Sequence, residues 1–236
     1  MIDIHSHILP GVDDGARTLT DSVEIIRELA ASGVTDIVAT PHFVVETNYT
    51  SPKKTNTAIL KKLREVLADE GVDVRIFLGN EIYIDPSIEN LIREGALSTM
   101  AGGEHILVEL PIDIEYSNYY DILFGLIEVG YKVILAHPER YAIMQKDYDL
   151  LVELHDVGVR FQCNLGSVIG QYGKEPKNLV KRLIKERLVF AFGSDIHYCH
   201  GADYWLKAQK KLAKYYSKNE LKEVLISNSY RILSGE

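Results

Sequence analysis

The sequence predicts an α/β protein with a parallel sheet, either closed as a (β/α) barrel or open and doubly wound. Three observations lead there. Short runs rich in β-branched and apolar residues recur along the chain, each continuous rather than alternating in hydrophobicity, as strands covered on both faces require. Helical patterns separate them, so that seven strands alternate with helices. The 236 residues contain no Pro/Gly/Ser linker, low-complexity tract or internal repeat. One domain over residues 1–236 is therefore expected, and that length favours a barrel, with seven strands in place of eight.

The first strand covers residues 2–5. A helix follows, with Asp21 as expected N-cap, Glu24 three residues on, and a stripe of Val23, Ile26, Leu29 and Ala30 that stops at Gly33. Strand two (35–40) precedes a helix over 52–70, strand three (74–80) a short one over 87–94, and strand four (106–110) one over 119–129. Strand five (132–136) leads to a helix at 147–157, strand six (159–164) to a connection at 166–173 and a helix at 178–186. Strand seven (188–193) is followed by helical regions at 202–216 and 219–233.

Composition excludes several classes. With 46% apolar and 25% charged residues and no apolar run near the ~20 residues of a membrane span, a soluble protein without membrane insertion is expected. The start, Met1-Ile2-Asp3-Ile4-His5, lacks a basic leader and a following apolar stretch, so no signal peptide is expected. Two cysteines, Cys163 and Cys199, make no disulfide framework, and a cytoplasmic location is the expectation. A net charge of −8 argues against a nucleic-acid partner. Cysteine-dependent phosphatase chemistry needs an arginine six residues after the thiolate; here those positions are Ile169 and Trp205. The stretch from Gly166 to Lys174 is not a nucleotide loop, because Val168 and Glu175 replace required residues, and the flanks of Ser167 do not make a nucleophile elbow.

The acids and histidines carry the functional signal. Strand one ends His5-Ser6-His7, strand two runs into His42, strand three into Glu81, and strand four contains Glu109. Strand five ends at His137 and strand seven at Asp195-Ile196-His197. Six of seven strands thus deliver a His, Glu or Asp at the carboxyl end, the face on which barrel enzymes assemble their sites. With Asp14 from the first loop the pool is His5, His7, Asp14, His42, Glu81, Glu109, His137, Asp195 and His197. Several carboxylates gathered at one rim repel one another and lose hydration unless cations neutralise them. Mixed imidazole and carboxylate ligands suit Zn²⁺, Mn²⁺ or Fe²⁺, and nine exceed the needs of one ion. His5 and His7 are two apart on a strand and present both rings to one side. Any one of these residues alone reads equally well as an ordinary loop residue; their joint placement does not. His105 at a strand start and His155 within a helix are expected to be structural, and His200 to lie off the site.

In order along the chain, His5-Ser6-His7-Ile8-Leu9-Pro10 with Asp13-Asp14-Gly15, Thr40-Pro41-His42, Glu81, Glu109, Ala136-His137-Pro138-Glu139-Arg140 and Ser194-Asp195-Ile196-His197 resemble the polymerase and histidinol phosphatase (PHP) superfamily. The likeness is greatest to its bacterial capsule-locus branch of metal-dependent protein tyrosine phosphatases. That resemblance implies a distorted (β/α)₇ barrel with three divalent ions, most often Mn²⁺ and otherwise Fe or Zn. It implies one ion on His5, His7, Glu81 and Asp195, a second on Asp14, His42 and His197, and a third on Glu81, Glu109 and His137. The implied substrate is the phosphotyrosine-containing tail of a bacterial tyrosine autokinase that controls capsule or exopolysaccharide synthesis.

The chemistry expected is phosphomonoester hydrolysis by metal-activated hydroxide. Arg140 is expected to hold the phosphoryl oxygens, with His42 and His197 close to the reacting atoms; the alternative for Arg140 is an ion pair with Glu139 or another rim acid. The segment from Tyr198 to Asp203 offers no second Arg or Lys. Tyr116, Tyr119, Tyr172 and Tyr198 are candidates to stack on a phenyl ring, whereas Lys207, Lys210, Lys211 and Lys214 read more simply as a solvated helix face. The competing functions are a small-molecule phosphoesterase such as a histidinol phosphatase and a non-catalytic module that binds a phosphotyrosine tail.

Overall fold

A computed structural model describes residues 1–50, 52–111 and 119–235. Its strands, in chain order, are β1 (Ile2–Asp3), β2 (Asp36–Ala39), β3 (His42–Phe43), β4 (Arg75–Leu78), β5 (Glu81–Tyr83), β6 (His105–Glu109), β7 (Lys132–Ala136), β8 (Arg160–Asn164) and β9 (Val189–Gly193). All ladders among them are parallel. β1 pairs with β2 and β2 with β4, while β3, β5, β6, β7, β8 and β9 follow in order.

β2 and β3 are one run interrupted at Pro41, which has no N–H to donate. β4 and β5 are likewise one run, interrupted at Gly79-Asn80. The ladder survives the interruption: Gly79 N donates to Ala39 O (2.8 Å) and Glu81 N to Pro41 O (3.1 Å). Asn80 ties the break down, donating from Nδ2 to Pro41 O (3.0 Å) and accepting from Ser98 N at Oδ1 (2.8 Å). The seven expected runs therefore lie in chain order. Asp195 N donates to His5 O (2.9 Å) and His7 N to Ile196 O (3.0 Å), which brings the last run back beside the first at their carboxyl ends.

The helices are α1 (Leu19–Ala31), α2 (Lys53–Asp69), α3 (Ile88–Arg93), α4 (Tyr119–Glu128), α5 (Ala142–Lys146), α6 (Asp149–Asp156), α7 (Leu165–Ile169), α8 (Lys174–Lys185), α9 (Ala202–Leu212), α10 (Lys218–Lys222) and α11 (Asn228–Ser234). Several bounds differ from expectation for identifiable reasons. The N-cap of α1 is Thr18, not Asp21: Thr18 Oγ1 accepts from Asp21 N while Asp21 Oδ2 accepts from Thr18 N, a capping box one turn earlier. The expected helix over 147–157 is the separate α6, with α5 before it and Asp147 Oδ1 accepting from Asp149 N at the break. The connection at 166–173 contains α7, which Gly170 ends at φ +94°.

Side chains alternate across the sheet. Leu107, Ile134, Ala136 and Ala191 face an inner apolar cluster with Ile2, Ile4, Val38, Met100 and Ile232, the last supplied by α11. Ile106, Val108, Val133, Leu135 and Phe161 face the helices in the larger outer core. Trp205 of α9 is wholly buried and donates from Nε1 to Glu28 Oε1 of α1 (2.7 Å), fixing the chain that follows His197 against the first helix. The fold thus fills its middle with hydrocarbon and gathers most of its buried ionisable groups at the carboxyl ends.

Candidate metal centre

All nine sequence-selected residues meet at that end. His5 Nε2 and His7 Nε2 are 3.2 Å apart. Glu81 Oε2 lies 3.2 Å from the first and 3.3 Å from the second, and Asp195 Oδ1 lies 3.5 Å from each. Four donors from the ends of three strand runs face one point. Bonds of ~2.0–2.2 Å to a first-row ion imply neighbouring ligands about 3–3.5 Å apart, so this spacing fits an ion. Glu81 Oε2 is buried without a hydrogen-bond partner, a cost that a cation would remove.

Asp14 Oδ1 stands 3.4 Å from His42 Nε2 and 3.3 Å from His197 Nε2, half-exposed at the mouth. On the other side, His137 Nε2 is 3.0 Å from Glu81 Oε1 and 3.6 Å from Glu109 Oε1, while His42 Nδ1 is 3.1 Å from Glu81 Oε2 and 3.8 Å from Glu109 Oε2. Three groups have donors close enough to share an ion: His5, His7 and Glu81; His7, Asp14, His42 and His197; and His42, Glu81 and Glu109. Glu81 sits in two of them, and His42 and His7 join neighbouring groups as well.

Electrostatics hold the cluster together. Burial alone would lower the pKa of His5 and His7, yet the facing carboxylates raise both, His7 well above the usual imidazole range. His42 is likewise opposed by burial and pushed up to about 10 by Asp14 and Glu81. Hydrogen bonds from His197 and His42 hold Asp14 low, and neighbouring imidazoles hold buried Glu81 and Asp195 low against their desolvation. Glu109 goes the other way, raised by burial and by Glu81. His137 (φ +33°) and Asp195 (φ +53°) both adopt left-handed backbone, a cost of about 1–3 kcal/mol each that places their side chains inward.

Residues outside the nine orient these groups. His7 Nδ1 is 2.8 Å from Asp13 Oδ2, and His5 Nδ1 is 2.8 Å from Gln162 Oε1, which can only accept. Both rings are therefore turned to present Nε2 inward. Gln162 Nε2 donates to Asn164 Oδ1 (2.9 Å), and Asn164 Nδ2 donates to Asp195 Oδ2 (2.6 Å). β8, the one run without a ligand, supplies this brace. Behind it Glu139 is wholly buried, its carboxyl raised by desolvation, with Oε1 accepting from Asn164 N (2.8 Å) and Ser167 Oγ (2.7 Å).

Arg140 is ion-paired as the alternative reading allowed, with the rim acid Asp195 rather than with Glu139. Its Nη1 is 3.0 Å from Asp195 Oδ2, and its guanidinium lies over the Tyr172 ring, 4.7 Å from the centroid. A cavity of about 300 Å³ opens above the cluster, walled by Arg140, Val44, Tyr49 and Tyr83 beside the acids and histidines. The Tyr49 ring stacks on His42 at 6.0 Å. Tyr198 is exposed, Tyr119 packs on the outer core, and Tyr116 lies outside the described residues. His105 is buried at the start of β6 and His155 lies in α6. His200 stacks on Tyr204 while its N–H donates to Glu28, off the cavity. Neither cysteine is activated: burial drives the Cys163 thiol well up and raises Cys199 to about 11.

Known proteins resemble this chain over most or all of its length. Tyrosine-protein phosphatase YwqE of Bacillus subtilis is 33% identical over 198 residues, 84% of this chain and 77% of its own length. Tyrosine-protein phosphatase CpsB of Streptococcus pneumoniae is 27% identical over 242 residues, spanning 100% and 99%. A solved structure, from work on YwqE of B. subtilis and CpsB of S. pneumoniae as metal-dependent tyrosine phosphatases, superposes with a TM-score of 0.92 at 30% identity, covering 100% of this chain and 95% of its own. The phosphotriesterase of Mycobacterium tuberculosis shares the fold alone, at TM-score 0.59 and 13% identity over 98% and 93% of the two chains. The family model for capsular polysaccharide synthesis proteins CpsB/CapC matches residues 1–234, and the chain belongs to that family.

Proposed function

We propose that this chain is a metal-dependent protein tyrosine phosphatase, carried on one domain over residues 1–236. It would work in the cytoplasm, and its proposed substrate is the phosphotyrosine-containing tail of a bacterial tyrosine autokinase that governs capsule or exopolysaccharide synthesis. The observation that carries the reading is the convergence of His5, His7, Glu81 and Asp195 donors at 3.2–3.5 Å beneath a cavity edged by Arg140. Similarity over 84% to 100% of the chain to proteins named as tyrosine phosphatases supports the substrate class.

The residues present fit three ions, with Mn²⁺ the expected metal. His5, His7, Glu81 and Asp195 would hold one, Asp14, His42 and His197 a second, and Glu109 and His137 with Glu81 a third. Ions bound there would supply a water of lowered pKa and neutralise charge on the phosphoryl oxygens. The chain does the rest. Arg140, held over Tyr172, turns its planar fork toward the phosphoryl oxygens. Tyr49 and Tyr83 flank the mouth where the phenyl ring would enter, and His42 and His197 line the same cavity, close to where the reacting atoms would lie.

Elemental analysis of the purified chain, coupled to phosphotyrosyl-peptide turnover after metal exchange, tests this. Divalent metal at two or more equivalents, with turnover abolished by chelator and restored by Mn²⁺, is expected. Metal-free protein that hydrolyses the peptide, or loaded protein that prefers histidinol phosphate, overturns it.

A further inference from the structure

Between α8 and α9 the surface carries a concentration of positive charge at odds with the chain's net −8. Lys177 and Lys181 lie one turn apart on α8, and Lys207 and Lys211 one turn apart on α9. Lys177, Lys181 and Lys211 are half-buried, yet among the described residues none of these ammonium groups has a carboxylate within 4.0 Å. The Lys177 stem is laid across Gly170, with Cδ and Nζ 3.2 Å from where a Cβ would stand. Burial and the neighbouring ammoniums of Lys177, Lys181 and Lys207 lower the pKa of Lys211. Uncompensated like charges held together in recesses raise the energy of the free protein, and an anion seated among them relieves it.

We propose that this face docks an acidic segment of the protein substrate flanking the phosphotyrosine held at the metal centre. The inference rests on the phosphatase reading for the identity of its partner. A groove of about 590 Å³ runs along α9 beside Lys207, Lys210, Lys211 and Lys214, with Asp203 the acid in its wall. The surface is continuous with the centre: Arg140 covers Tyr172, the adjacent Gln171 accepts from the Tyr204 hydroxyl through Oε1, and Lys207 and Lys211 follow Tyr204 on the same side of α9. The seven helical steps from Tyr204 to Lys211 span about 10 Å, the reach of roughly three extended peptide residues. A peptide fits better than a membrane, because large exposed apolar side chains are absent from α8 and α9 among the described residues, and a lipid-facing helix needs them.

The test compares two phosphotyrosyl peptides that differ only in three flanking residues, Glu in one and Gln in the other, on the metal-loaded full chain. The Glu peptide is expected to have a KM lower by roughly five- to twentyfold at equal kcat, as three exposed ion pairs allow. The double variant Lys177→Gln/Lys211→Gln should remove most of that difference, as should 0.5 M salt, roughly, with p-nitrophenyl phosphate turnover unchanged. Equal KM values in the unmodified chain, or a variant that slows all three substrates alike, overturn the proposal. Anisotropy of a labelled, unphosphorylated Glu-rich peptide gives a readout without turnover. Binding lost in the double variant sustains the docking surface even if phosphotyrosine is not hydrolysed; binding to phosphatidylserine vesicles or RNA but not to the peptide refutes it.

Discussion

Arg140 and Asp195 share one hydrogen bond across the floor of the cavity: Nη1 stands 3.0 Å from Oδ2, while Oδ1 of the same carboxylate faces His5 and His7. Asp195 opposes the desolvation of the guanidinium and raises its pKa, so the side chain enters the reaction fully charged. The pairing also limits where the fork can turn, with Tyr172 below it and the cavity on its open side.

Replacing Arg140 with Ala should therefore separate two roles. If the guanidinium receives phosphate, kcat/KM falls about 10- to 100-fold, the worth of one or two charge-assisted hydrogen bonds, while metal content stays intact. Arg140→Lys recovers part of the loss. Metal content that falls in step with activity would show that Arg140 serves Asp195 alone, and unchanged kinetics would remove it from the mechanism.

The brace on β8 predicts a different signature. Gln162→Leu leaves His5 Nδ1 without its acceptor and Asn164 Oδ1 without its donor. Losing such an orienting partner typically weakens metal affinity by about 10- to 100-fold. Chelator competition on Gln162→Leu should show that loss with circular dichroism unchanged, and saturating Mn²⁺ should restore most of kcat. Wild-type affinity would mean that the strand is braced for packing only.

The contrast between the ligands and this brace shows what the sequence makes legible. Carboxylates and imidazoles at the ends of apolar runs stand out because burial of such groups is costly and therefore rare without purpose. Gln162 and Asn164 are neutral amides inside a strand and carry no such signal; only their register beside His5 and Asp195 gives them meaning. Asp13 was visible as part of Asp13-Asp14-Gly15, but which of the two acids faces the cavity depends on the loop's path. The alternation of strands and helices followed from periodicity, whereas the start of α1 turned on one hydroxyl, Thr18, three residues before the expected cap. The ammonium cluster was invisible as a cluster, since α8 and α9 are separated in sequence by β9 and the rim loop.

Gly15 ties that loop to the site. A Cβ there would stand 2.1 Å from His7 O and 2.4 Å from His7 Cβ, contacts with backbone that cannot yield cheaply. Gly15→Ala must push the loop off His7, breaking the Ala16 N to His7 O bond (3.0 Å) and drawing Asp13 away from the His7 ring. The expected cost is about 1–3 kcal/mol of stability together with weakened metal binding. A calorimetric scan of the metal-free protein at the wild-type Tm would contradict the close approach.

His105 supplies a pH test clear of the metal centre. It opens β6, is 5% exposed, stacks on Phe190 at 6.4 Å, and leaves Nδ1 without a hydrogen-bond partner. Burial first, and then Lys132, push its pKa down to about 4. Above the ordinary imidazole value of about 6.5 the ring is neutral both folded and unfolded, so it contributes no pH dependence. As pH falls below that value the unfolded chain takes up a proton that the folded chain refuses, and stability drops until the folded ring titrates near 4. At a pH of about 5 the loss amounts to about 1–2 kcal/mol after allowance for solvent screening. His105→Leu should abolish that part of the slope. Urea unfolding of wild type and variant at neutral pH and near pH 5, approximately, isolates the effect, because the other titrating groups are common to both. Parallel stability profiles would show that the buried ring is protonated in the folded state as readily as in the unfolded one.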